Sequence, residues 1–185
     1  MYSVELMVAE HDHILELLKV VRAASCGIAE GREVVDEDFR KMIFFARNYA
    51  DKHHHGKEEQ IFFREMADKL GPAGYNLVQH GMLVEHDLGR LHISELEKAL
   101  DRYREEPKTI DKVNILAEAM GYVNLLQRHI DKENDVVYPF GERSLSQEVL
   151  RQIDVETRVF ESNAEGHGIQ AACLDILREL TGKYL

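Results

Sequence analysis

The sequence predicts an all-α protein, an up-down-up-down four-helix bundle with an additional C-terminal helical segment. Three observations lead there. Apolar residues recur with a helical period almost everywhere, and no stretch keeps the two-residue alternation of a half-buried strand. Leu, Glu, Lys and Ala are abundant, and only 3 prolines, Pro72, Pro107 and Pro139, interrupt the chain. The breaks are short, and helices joined by short loops pack as antiparallel neighbours.

The first helix is predicted from about Ser3 to Cys26, with Gly27 and Gly31 opening a loop. Asp36 is a suitable N-cap for the second, and the acids that follow it suit the positive end of a helix dipole. That helix runs to about Leu70, where Gly71, Pro72 and Gly74 stop it. The third covers about Tyr75 to Arg104. Pro107 breaks the chain, and Thr109 caps a fourth helix that ends between Pro139 and Arg143. A fifth segment, about 147–180, is helical in composition but broken from Asn163 to Gly168. The expected organisation is one domain over 1–185, with a bundle core at about 3–143 and a helical appendage after it. No linker or low-complexity stretch divides it.

Composition narrows the function. The 185 residues suffice for one sizeable core. With 23 basic against 34 acidic residues the formal charge is −11, which disfavours nucleic acid and anionic membranes as partners. No apolar run approaches a membrane span, and MYSVELMVAEHDH lacks the basic start and apolar core of a signal peptide. Two cysteines, Cys26 and Cys173, cannot form a disulfide framework or a Cys-rich metal site. Both are expected to be free buried thiols, and a cytoplasmic location follows. The 10 histidines are the oddity in this composition.

The apolar stripes locate several of them. His11 shares a face with Val4, Met7, Ile14, Leu18 and Val21. His54 and Glu58 share one with Ile43, Ala46, Ala50 and Ile61. His86 lies on the stripe of Met82, Gly89, Ile93, Leu96 and Leu100. His129 and Glu133 lie on that of Tyr122, Leu126, Val136 and Phe140. Such groups are costly to bury unless paired or bound to a metal.

A repeat joins these stripes. AEHDHILEL around His11 resembles VEHDLGRLH around His86, and HHGKEEQIFF from His54 resembles HIDKENDVVYP from His129. His11 precedes His54 by 43 residues, and His86 precedes His129 by the same 43. The chain therefore carries two helical hairpins, each with one His and then one HxxxE, whose His and Glu stack on one helix face. Facing hairpins would gather four imidazoles and two carboxylates. That donor set suits Fe, Mn or Zn rather than Ca or Mg. Two carboxylates between equivalent halves imply two metals, each with two His and an open position. A lone His on an apolar face, or a lone HxxxE, would carry no such weight. A repeat kept only for packing would not need to keep His and Glu.

These stretches resemble the hemerythrin-like family, the HHE cation-binding domains, over about residues 5 to 142. The resemblance rests on EH near the start, HHGKEEQIFF, EHDLGR and HIDKENDVVYP. It implies a four-helix bundle around a non-haem di-iron centre, with His11, His54, His86 and His129 as terminal ligands and Glu58 and Glu133 as bridges. Oxygen carriers of the family place two His four apart on the third helix. Here Met82 and Arg90 stand at those positions. The likeness is then to the bacterial hemerythrin-like proteins linked to nitrosative or oxidative stress and iron-centre repair. The expected ligand is O2, NO or peroxide. A ferritin-like site uses Glu-x-x-His, and the zinc-protease HExxH is absent. A di-iron enzyme and a metal-stabilised structural or sensor domain stay open as alternatives, as does a homo-oligomer or protein partner.

Other residues are read more plainly. His53 and His55 point about 100° to either side of His54 on a regular helix, toward solvent or a neighbouring helix. A rotated second helix would instead pair His55 with Glu59. His167, in EGHG, is a loop histidine or a fifth His ligand. Gly89 leaves room for a small ligand or for close packing. Tyr122 fills the core or donates a hydrogen bond or an electron, and Glu65 reaches solvent at the bundle end.

Overall fold

The computed structural model describes residues 1–165 and 168–185, and every regular element among them is helical. Six helical segments follow one another: α1 Tyr2–Ala29, α2 36–69, α3 71–105, α4 109–144, α5 Gln147–Glu165 and α6 Ile169–Tyr184. Asp36 and Thr109 are first helical residues rather than caps. The cap positions fall on the extended Val35 and Lys108, neither of which bonds through its side chain. The acids Asp36, Glu37 and Asp38 instead favour the α2 start through the dipole.

The break between α2 and α3 is shorter than the sequence suggested. Gly71, Pro72 and Gly74 belong to the opening turn of α3, so only Leu70 separates the rods. Gly71 takes φ +62°, open to glycine at little cost, and Pro72 stands in the first turn, where its missing N–H is not needed. Gly74 is required for another reason. A Cβ there would lie 2.4 Å from the Met66 carbonyl oxygen, so the two rods meet backbone to backbone.

Three rods widen to five-residue-spaced, π-type turns at Ala46–His55 and Glu58–Phe62 in α2, Val78–Met82 in α3 and Glu133–Val137 in α4. Pro139 follows the last of these, where the shifted bonding register accommodates a residue without an N–H.

Two apolar clusters fill the interior. One holds Ile14, Leu17, Phe39, Phe45, Leu96, Leu100, Ile115 and Leu126, and α6 adds Cys173, Leu177 and Leu180. The other holds Met7, Phe62, Phe63, Met66, Met82, Val137 and Tyr138, and α5 adds Leu150 and Ile153. His11, His54, Glu58, His86, His129 and Glu133 fall between them. Along α1 and α3 the chain meets the second cluster, then these polar residues, then the first cluster. Along α2 and α4 the order reverses. The apolar surface buried on both sides fixes the position of a polar layer that would not hold together alone. Cys173 is buried, but Cys26 is exposed, on the outward face of the last turns of α1, whose Ala24 and Ile28 pack inward. No helix among the described residues is long and apolar enough to cross a membrane.

Candidate metal centre

The six residues singled out by the repeat come together, and a seventh joins them. His11, His54, Glu58 and Glu133 form one group, and His55, Glu58, His86 and His129 form a second. Within each group the potential ligand atoms lie within 4.8 Å of one another, and all seven residues are buried. Both carboxylates reach across the halves. Glu133 sets Oε2 3.3 Å from His11 Nε2 and Oε1 3.0 Å from His129 Nε2. Glu58 Oε2 lies 3.7 Å from His54 Nε2 and 3.5 Å from His86 Nε2.

The imidazoles are held from behind. His11 Nδ1 pairs with Asn134 Oδ1 at 2.9 Å and His86 Nδ1 with Glu59 Oε1 at 2.7 Å. His54 Nδ1 pairs with Glu10 Oε2 at 2.9 Å and His129 Nδ1 with Glu85 Oε2 at 2.8 Å. Such partners fix the ring orientation and the tautomer, leaving Nε2 free to bind. These contacts obey the repeat, at an offset of 75 residues. Each single His is held by the residue after the other hairpin's Glu. Each HxxxE His is held by the Glu that precedes its own hairpin's single His. Lys57 bonds to Glu10, and its counterpart Lys132 bonds to Glu85.

Two substitutions break the symmetry. His55 corresponds to Ile130, and Tyr138 corresponds to Phe63. His55 stacks on His86 at 3.8 Å between centroids, with Asp51 Oδ1 3.5 Å from its Nδ1. Tyr138 donates its hydroxyl to Glu58 Oε1 at 2.5 Å and lies parallel to the His11 ring. The imidazoles therefore divide three to two, where the sequence suggested an even split. His55 was missed because a regular helix turns it away from His54's face, whereas the wide turns of Ala46–His55 bring both inward. Its expected alternative partner, Glu59, serves His86 instead. The run of three consecutive histidines was the available signal. His53 turns to Glu10, at 3.1 Å. His167 lies outside the described residues.

The buried charges conflict as they stand. Burial and the neighbouring Glu133 push the Glu58 carboxyl well up. Burial also works against the Glu133 carboxylate, but His129 and His11 hold it well below its ordinary range. Burial and His11 lower His54 to about 4, and burial and His86 lower His55 well below 6.5. His129, also penalised by burial, is nevertheless raised by Glu133 and Glu85 to about 9. Within the site, His54 Nε2, Glu58 Oε2 and both Glu133 oxygens are buried without a hydrogen-bond partner. Sealed polar atoms of this kind are costly and need an explanation. Imidazoles facing two carboxylates are the donor set of a transition-metal ion, so these residues fit one.

A third acidic group, Glu10, His53 and Glu161, adjoins the centre. The Lys57 ammonium already stands there, bonded to Glu10 and, at 2.6 Å, to Glu161. It supplies the positive charge that the cluster needs.

Comparison with known families agrees with this geometry. The model of the hemerythrin HHE cation-binding domain matches residues 2–140. Searches of curated proteins and of solved structures give no match.

Proposed function

Because the chain belongs to the hemerythrin HHE cation-binding family, we propose that it is a non-haem di-iron protein that binds O2, peroxide or NO in redox or stress handling. The helices around the polar layer are read as an up-down-up-down four-helix bundle, with α5 and α6 packed on its flank. One observation carries the reading: two groups of nitrogen and oxygen donors share Glu58, with Glu133 reaching into both. Each group would hold one metal, with His11 and His54 on one and His55, His86 and His129 on the other. Glu58 and Glu133 would bridge. Iron suits the donors best, and Mn or Zn would also fit.

When bound, two irons would supply reversible one-electron redox and sites for a small ligand. The protein supplies the rest. Apolar clusters on either side exclude water, the carboxylates behind the imidazoles fix their orientation, and Tyr138 holds a proton at Glu58 Oε1. The His11–His54 half has fewer imidazoles and is the natural place for the ligand. The same hydroxyl favours a second reading, a di-iron enzyme such as a peroxidase, an NO reductase or an iron-repair protein, because it places an acid–base group beside the donors. A cytoplasmic location accords with either.

Iron loading under anaerobic conditions tests the proposal. The chain should take up two irons. A near-UV or visible band that forms with air and reverses on deoxygenation supports ligand binding. A band that persists indicates oxidation and favours redox chemistry. No iron-dependent band overturns the di-iron reading and leaves a zinc or structural site.

A further inference from the structure

The 75-residue repeat lines up the surroundings of the two halves as well as their ligands. Gly89 corresponds to Ile14. Ile14 is fully buried and belongs to the larger apolar cluster. At Gly89 the equivalent volume is empty, and a cavity of about 280 Å3 opens between α2, α3 and α4. His55 and His86 form its floor, so it ends on the candidate centre.

Packing does not force a glycine at this position. A Cβ on Gly89 would lie 3.4 Å from Leu126 Cδ2 and 3.7 Å from the Tyr122 ring, which is ordinary contact. Glycine inside a helix is less favourable than alanine. Its role here is the open volume.

The walls define what fits. Dry cavities of about 150 Å3 accept benzene. This one is nearly twice that size, far larger than a diatomic molecule needs. Tyr122 lines it, and its hydroxyl bonds to no other described residue. The arginines at the rim are already neutralised. Arg47 pairs with Glu97 at 2.6 and 2.9 Å, and Arg90 with Asp51, Glu59 and Asp87 at 2.7 to 2.9 Å. Lys52, on the outer rim, is exposed and contacts Asn48 at 3.3 Å.

In the opposite half the counterpart position is filled by the buried Ile14. Lys57, the counterpart of Lys132, is covered by α5 and has no exposed side-chain surface, whereas Lys132 is 45% exposed. We propose that the cavity over His55 and His86 binds a small neutral organic molecule, mostly apolar, that accepts a hydrogen bond from Tyr122 through one oxygen. An organic alcohol or hydroperoxide is of this class. The proposal extends the functional reading, since the cavity floor is the candidate centre, but the binding itself depends on the walls.

NMR titration of the full chain tests it, both metal-free and zinc-loaded, with 2-phenyl-2-propanol as the probe and cumene and benzoate as its apolar and anionic counterparts. The alcohol should give saturable shifts at Gly89, Ile93 and Tyr122 in both forms. Gly89→Ile, which copies the sealed half, should abolish them. Tyr122→Phe should weaken the alcohol about three- to tenfold and leave cumene unchanged. The phenylalanine variant decides the matter if the isoleucine variant does not fold. Absence of saturable shifts, equal binding by Gly89→Ile, an unchanged alcohol affinity in Tyr122→Phe, or tighter binding of benzoate than of the alcohol would each overturn the proposal. Metal content measured on the same samples separates failure of the pocket from failure of the di-iron reading.

Discussion

Tyr138 and Glu58 share a 2.5 Å hydrogen bond in a region from which solvent is excluded. It is the only described hydrogen bond that Glu58 accepts, since Oε2 has no partner. Tyr138→Phe removes the donor and keeps the ring. The metal-free protein should lose about 1–2 kcal/mol in urea denaturation. Iron content should remain unchanged, while the position of any iron-dependent band shifts. An unchanged band would assign the hydroxyl to packing alone.

His55 and His53 flank His54 and are both buried, yet only His55 faces the carboxylates of the centre. His55→Ala should lower metal content from two ions per chain to about one. His53→Ala should leave two. Metal analysis after gel filtration distinguishes them, and equal loss in both variants would return His55 to a structural role.

The metal-free protein should be most stable near pH 6.5. His129 is raised to about 9, so its contribution is complete below its unfolded value of about 6.5 and disappears as pH rises through 9. His54 is lowered to about 4, so its contribution is present above about 6.5 and is lost as pH falls toward 4. A bound metal requires deprotonated imidazoles, so loading should release protons and flatten the alkaline limb. Urea midpoints from pH 4 to 9.5, with and without metal, measure both limbs.

Glu161 lies beyond the matched family region but bonds to Lys57, which in turn holds Glu10 behind His54. Glu161→Gln should destabilise the protein by about 1–3 kcal/mol and speed metal release to a chelator several-fold. An unchanged release rate would confine α5 to a packing role.

The sequence carried more of the centre than of its surroundings. His11, His54, Glu58, His86, His129 and Glu133 were legible because duplication at fixed spacing places them on apolar stripes, and only helix geometry was needed to join them. His55 was not legible, because the 3.6-residue period fails where α2 widens. Glu10 and Glu85 were half visible. Each precedes a repeated His, but their partners lie 44 residues away on another helix. The start of α3 was not legible at Gly71, because Gly and Pro read as helix stops although they also start helices. The cavity at Gly89 depended on comparing the two halves in space. For a lone glycine, open room and close packing look alike in a sequence.

Asp154 adds a constraint of a different kind. Its carboxylate accepts from the backbone N–H groups of Ser3, at 2.9 Å, and Tyr2, at 3.3 Å, so α5 caps the start of α1 from about 150 residues away. A chain emerging from the ribosome exposes α1 long before this cap exists. The first turns, two ahead of His11, therefore lack this partner until residue 154 has been added. Vectorial synthesis thus delays closure of the His11 side until Asp154 has been made, and a nascent chain stalled before residue 154 should keep that end accessible to proteases.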